Sequence, residues 1–181
     1  MIRAFLALDL PDTVRATLQV RQFLLPLPRK ADPAGFHLTL VFLGEVGDAA
    51  LEAVHDEFQR LKIAPFLLTV QGLGLFGGER PRVAWAGVAP SDPLMRLQAK
   101  ADQAARRAGL TPDARRFHPH ITLGRFPPPQ LADLMRLERA VAEGGGFACP
   151  PFTVPGMVLY QSQPGPQGPR YRALADYPFR G

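Results

Sequence analysis

The sequence predicts an α+β fold with largely antiparallel sheets, and three features predict it. Segments of strand period and helix period alternate along the chain. The turns between them are short and rich in Pro and Gly, and one strand-like motif occurs twice. Phe36-His37-Leu38-Thr39-Leu40 returns in pattern as Pro119-His120-Ile121-Thr122-Leu123, after an interval close to half of the 181 residues. Two halves of similar plan, each giving one such strand to a shared cleft, account for the repeat.

In chain order, a first strand is expected over residues 2–8. Its apolar stretch from Ala4 to Leu8 is short and ends at Asp9, which suits a strand better than a signal peptide. Val14, Leu18 and Leu25 mark a helix between Pro11 and Pro26. A strand over 37–43 follows. Asp48 then reads as an N-cap, with Leu51, Val54, Phe58 and Leu61 on one helical face. Strands are expected over 66–71 and 83–88. Asp92-Pro93 opens the clearest helix, with a stripe of Leu94, Leu97, Ala101, Ala104 and Ala108, and Gly109 as its stop. The second motif gives a strand over 120–125. A weaker helix over 130–142 ends at Gly144-Gly145-Gly146, and strands over 153–160 and 171–175 complete the chain. The loop 161–169 is the expected mobile segment. No Ser/Gly linker divides the sequence, so residues 1–181 read as one domain.

Composition narrows the function. Hydrophobic residues make up 46% and charged residues 20%, ordinary for a globular protein. No apolar run reaches the roughly 18 residues needed to cross a bilayer, so no membrane role is expected. Cys149 stands alone, which fits a cytoplasmic protein rather than a disulfide-built one. The net charge is +5, and all but three of the 21 basic residues (Lys30, Lys62 and Lys100) are arginines. Planar guanidinium forks suit phosphate oxygens, so the balance permits a nucleic-acid or nucleotide partner without establishing one.

The repeated motif carries the chemistry. Residues two apart in a strand share a face, so His37 sits beside Thr39 and His120 beside Thr122, with Leu38, Leu40, Ile121 and Leu123 behind. Two imidazoles facing one cleft form an acid–base pair, since a reference pKa near 6.5 lets one be protonated while the other is neutral. Displacement at phosphorus needs such a pair, one group to take a proton from the attacking water and one to protonate the departing oxygen. The Thr39 and Thr122 hydroxyls can donate to the non-bridging oxygens, and Arg125 can add a charge-assisted bond. Strict alternation sends Arg125 to the wrong face, so a bulge or the strand end must turn it, and Gly124 allows that. Phe42 meets the same objection. With a turn it can stack on a nucleobase, and without one it belongs to the core.

With these residues the chain resembles the 2H phosphoesterase superfamily, and within it the LigT-like RNA 2′,3′-cyclic phosphodiesterases, also called 2′-5′ RNA ligases. The likeness covers nearly the whole chain. It runs from Arg3-Ala4-Phe5-Leu6-Ala7-Leu8-Asp9-Leu10 through Phe36 to Gly44, Gly72-Leu73-Gly74 and Arg82-Val83-Ala84-Trp85-Ala86-Gly87. It ends with Pro119 to Arg125, Leu159-Tyr160-Gln161-Ser162 and Tyr171. The resemblance implies a bilobal α+β fold of two pseudo-symmetric lobes, each with a mainly antiparallel sheet packed by helices, around an active-site cleft. It implies hydrolysis of an RNA 2′,3′-cyclic phosphate end, or of a small cyclic nucleotide, to a 2′-phosphomonoester by a monomer needing no metal and no cofactor. Reverse 2′-5′ ligation accompanies that activity. His37 and His120 match the catalytic pair, with His120 assigned as base and His37 as acid. Thr39, Thr122 and Arg125 match phosphate contacts. Val41 stands where many members carry Lys or Arg, and the segment before His37 lacks a frequent Trp, departures that bear on substrate preference.

Rival readings are weaker. Gly72-Leu73-Gly74-Leu75-Phe76-Gly77 satisfies G-x-G-x-x-G, but turn residues follow where a dinucleotide site needs a helix. His118 and His120 with His37 would give a zinc site three ligands. A module that binds RNA without turning it over would keep the basic surface alone. Arg106, Arg107, Arg115 and Arg116 are expected as solvated surface or as the approach to such a surface.

Overall fold

The computed structural model describes residues 1–113, 115–166 and 168–180. It contains β1 (Ile2–Asp9), α1 (Asp12–Leu24), β2 (His37–Val46), α2 (Asp48–Gln59), β3 (Phe66–Leu68), β4 (Val70–Phe76) and β5 (Val83–Val88). These are followed by α3 (Asp92–Arg107), β6 (His120–Arg125), α4 (Leu131–Glu143), β7 (Phe152–Val154), β8 (Gly156–Gln163) and β9 (Arg170–Pro178). The fold is α+β as expected, and its recorded strand pairs are antiparallel.

Seven strands form one sheet in the order β4-β5-β6-β2-β1-β8-β9, and β3 with β7 forms a small second sheet. The two halves meet at the β2–β6 seam, where Leu38 pairs with Ile121. The expected strands over 66–71 and 153–160 are each two strands. Thr69 and Pro155 interrupt them, and the outer pieces β3 and β7 leave to pair with each other. Pro155 has no N–H to give a ladder, which accounts for the second break. Strand β8 continues to Gln163, so the connection to β9 is shorter than the 161–169 loop expected, and Gln167 lies outside the described residues.

The helices start one residue away from the expected caps. Asp48 is the first helical residue of α2 after Gly47, and its carboxylate favours that end through the helix dipole. Ser91, not Asp92, caps α3, its hydroxyl accepting from the Leu94 amide. No described helix is long and apolar enough to cross a membrane.

The helices contribute Val14, Leu18, Val54, Phe58, Leu94, Leu97 and Leu137 to a core that also takes Leu6, Leu8, Leu38, Leu40, Ile121 and Leu123 from one face of the sheet. Each such side chain is worth roughly 1.5–3 kcal/mol when buried. A one-residue slip of β2 or β6 would expose its leucines and bury the His-Thr pair, so the register is strongly fixed. Phe5, Ala7 and Val158 are buried yet stand outside this core, on the opposite face.

Candidate functional site

That opposite face carries the motif residues. Extending the Leu38–Ile121 register by one residue in each direction sets Thr39 across from His120 and Thr122 across from His37. The four side chains therefore make a square with imidazole and hydroxyl at alternate corners, related by the pseudo-two-fold of the seam.

The alternation problem of Phe42 and Arg125 is resolved by two matching bulges. Between β1 and β2, Ala7 pairs with Thr39 but Leu6 pairs with Val41, leaving Leu40 as the extra residue. Between β5 and β6, Trp85 pairs with Thr122 but Ala84 pairs with Gly124, leaving Leu123 extra. Each bulge falls on the Leu of the motif and flips the alternation beyond it. Leu40 and Val41 are consequently both buried, while Phe42, paired with Phe5, returns to the face of His37. Arg125 returns to the face of His120 in the same way, with Val83 as its partner. Phe42 is 48% exposed, so the core alternative for it does not hold. Gly124 is glycine for a reason beyond the bulge: a Cβ there would lie 2.5 Å from the Arg29 carbonyl oxygen.

Both imidazoles are oriented alike. His37 Nδ1 lies 2.7 Å from the Gly35 carbonyl, and His120 Nδ1 lies 2.7 Å from the His118 carbonyl. A carbonyl only accepts, so each Nδ1 carries the proton and each Nε2 is left with a lone pair in the neutral ring. The Thr39 hydroxyl donates to His37 Nε2 at 3.1 Å. Burial holds His37 down to a pKa of about 4, the Gly35 bond and Asp9 working against that shift while Arg125 and His120 reinforce it. His120 is lowered too, first by burial and then by the charges of His118 and Arg125, against the pull of its bond to the His118 carbonyl.

Sequence reasoning missed the walls of the site. Phe5 packs 4.8 Å from the His37 ring, and Tyr171 sets its edge against it at 4.9 Å. Phe76 stands edge-on to His120 at 4.9 Å, with Trp85 beyond. These residues come from strands far apart in sequence, and only cross-strand pairing on one face brings them together. Gly74 makes room for Trp85, whose ring atoms would lie 2.2 Å from a Cβ at that position. Residues 72–76 are thus inside β4, and no helix opens at Gly77. The largest groove, about 580 Å³, lies beside this floor and shares with it Asp9, which pairs with His37 across the strands.

Other candidates separate from the site. His118 is exposed and leans on Trp85 at 5.0 Å, and among the described residues no three His, Cys, Asp or Glu side chains converge as metal ligands would. Arg106, Arg107 and Arg115 pair with Asp102, Glu57 and Asp113. His55 bonds the Tyr177 hydroxyl at 2.8 Å, tying α2 to β9. Cys149 is buried, and burial pushes its thiol up, away from a nucleophile's range.

Comparison with known proteins agrees with this geometry. The model of the 2′-5′ RNA ligase superfamily matches residues 10–164. An RNA 2′,3′-cyclic phosphodiesterase of Archaeoglobus fulgidus is 30% identical over 181 residues, covering 96% of this chain and 98% of that protein. One of the same name from Thermus thermophilus is 33% identical over 201 residues, covering 99% and 91%. The crystal structure of Escherichia coli LigT complexed with 3′-AMP superposes with a TM-score of 0.80 at 27% identity, over 99% of each chain.

Proposed function

This chain belongs to the 2′-5′ RNA ligase superfamily, and from that membership we propose that it opens RNA 2′,3′-cyclic phosphate ends to 2′-phosphomonoesters by metal-independent acid–base catalysis between His37 and His120. The observation that carries the reading is the square of two imidazoles and two hydroxyls on one sheet face, with both Nε2 atoms free of backbone bonds.

In this reading a water attacks phosphorus in line with the 3′ oxygen. The new P–O bond forms from the water, the P–O3′ bond breaks, and the phosphate stays on the 2′ oxygen. His120 Nε2 takes the water's proton, and His37, protonated at Nε2, delivers one to O3′. The hydroxyls of Thr39 and Thr122 and the Arg125 guanidinium hold the non-bridging oxygens as charge builds on them. Neighbouring charges support this division. His37 has Asp9 near it to favour its charged form, whereas His118 and Arg125 both oppose charge on His120. The deep burial of His37 works the other way, and the bound anionic phosphate is what recharges it. A 5′-hydroxyl attacking in place of water gives a 2′-5′ linkage, the ligation counterpart.

One chain supplies every group the reaction uses, so a monomer suffices. An RNA end and a small cyclic nucleotide present the same reacting phosphate, and both are substrates in this proposal. The reaction is set in the cytoplasm, where a lone thiol such as Cys149 stays reduced.

The test is hydrolysis of a short RNA ending in a 2′,3′-cyclic phosphate, in excess EDTA, by wild type and His120→Ala. Turnover to a 2′-phosphate that survives EDTA and falls by about 10²-fold or more in the variant is expected. Activity lost in EDTA and restored by zinc would return the site to a His118-x-His120 metal centre. RNA binding without any turnover would make the chain a binding module.

A further inference from the structure

Helix α1 touches both motifs with polar side chains, although the stripe it turns to the protein is otherwise apolar. Arg15 and Gln22 lie seven residues apart, two turns and roughly 10 Å along one helical face. Gln22 is the one buried polar residue recorded, 4% exposed, among Val14, Leu18 and Leu25. We infer that Arg15 and Gln22 are positioning residues of the phosphodiesterase site, Arg15 setting the ring of His37 and Gln22 setting the bulge that turns Arg125 to the phosphate. The inference rests on the function proposed above.

Arg15 acts on the turn before β2. Its Nη1 donates to the carbonyls of Pro33, Ala34 and Phe36, each at 3.0 Å, and its Nη2 to Asp9 at 2.7 Å and the Leu10 carbonyl at 3.2 Å. Of the four carbonyls from 33 to 36, only that of Gly35 is left out, and it accepts from His37 Nδ1. The guanidinium thus clamps the peptides on either side of the one that fixes the His37 tautomer. Lysine has the charge to keep Asp9 but not the planar fork to span the turn.

Gln22 acts on the second bulge. Its Nε2 donates to the Leu123 carbonyl and to the Ala31 carbonyl, both at 2.7 Å, and the Ala31 amide donates to the same Leu123 oxygen at 2.9 Å. Leu123 is the extra residue of β6, so its carbonyl has left the ladder with β5 and needs these donors. An apolar side chain would fill the position as well, but would not hold the bulge that reverses the alternation before Arg125.

The experiment uses the free full-length protein, with imidazole ¹⁵N spectra and titration with inorganic phosphate. In wild type both His37 and His120 are expected as the Nδ1–H tautomer. In Arg15→Lys, His37 should become a tautomer mixture while His120 keeps its signature. Gln22→Leu should weaken phosphate binding about 10-fold, approaching Arg125→Ala, and should add nothing to it in the double variant. Gln22→Met serves if the leucine variant does not fold. An unchanged His37 tautomer in Arg15→Lys, or a Gln22 effect that adds fully to that of Arg125→Ala, would overturn the inference. Neither readout needs turnover, so failure of the proposed reaction would show separately, as wild type that binds phosphate and leaves cyclic phosphate intact.

Discussion

The His37 and His120 halves agree down to the hydrogen bond on Nδ1 and part at the residue that follows each bulge. In both, a carbonyl two residues upstream fixes the ring, a Thr stands two residues on, and the motif Leu is the extra residue in the strand. Beyond the bulge one half presents Phe42 and the other Arg125. The walls differ as well. His37 is deeper, beside Phe5, Tyr171 and the carboxylate of Asp9, whereas His120 has Phe76, Trp85 and a second imidazole. The shared part is what proton transfer requires of both sides of a phosphate. The unshared part is what distinguishes the phosphate from the nucleoside it is attached to, so specificity belongs to the places where symmetry fails.

The sharpest break in that symmetry is Arg125. Arg125→Ala is expected to lower kcat/KM about 10²- to 10³-fold, near 3–4 kcal/mol, because it removes a charged donor from oxygens that gain charge in the transition state. Arg125→Lys should recover only part of the loss, since a single ammonium cannot span two oxygens. The loss should be the same for a cyclic mononucleotide and for a cyclic-phosphate oligonucleotide. Steady-state kinetics on both substrates decides it, and a loss confined to the oligonucleotide would move Arg125 from the phosphate to the RNA chain.

Much of this was legible before the fold was known. Strands 83–88 and 120–125 lie where their alternation and flanking turns predict, and the repeat identified the four corners of the square. The bulges were not legible, because a bulge is defined by the partner strand and leaves the local pattern of β2 or β6 unchanged. Alternation alone therefore left Phe42 and Arg125 facing the wrong way. The merging of β3 with β4 and of β7 with β8 has a related cause: an apolar run conceals the point at which a chain changes sheets, although Pro155 was a visible marker. Gln22 was visible too, as a polar residue on the Val14, Leu18, Leu25 stripe. Its partner Leu123 lies 101 residues away, and no local rule names it.

The difference in depth between the two histidines should appear in stability. Folding lowers the pKa of His37 from 6.5 to about 4, so between those values the unfolded chain binds the proton more readily. The contribution of neutral His37 is complete above pH 6.5 and is lost as pH falls towards 4, with an upper value of about 3 kcal/mol. Denaturant unfolding at pH 7 and pH 4.5 should show this loss, and His37→Asn should remove most of it. His120 is lowered by the same cause, so His120→Asn should also reduce the loss. An equal reduction by the two variants would erase the asymmetry of depth drawn here.

The smallest effect is expected at Phe42, and it separates the two halves most cleanly. Its ring is half exposed and stands 6.0 Å from Phe5 on the face of His37, a platform with no charge and no hydrogen-bonding group. Such a ring can meet a base and do nothing for a phosphate, and stacking on one base is worth about 1–3 kcal/mol. Phe42→Ala should therefore raise KM about 5- to 30-fold for a cyclic nucleotide, at the lower end of that range, and leave kcat near its wild-type value. On ribose 2,3-cyclic phosphate, which offers the same phosphate and no base, the variant and the wild type should be equal. A drop in kcat on both compounds would instead mean that Phe42 supports the His37 ring through Phe5, and the half without the arginine would then serve the chemistry rather than the choice of substrate.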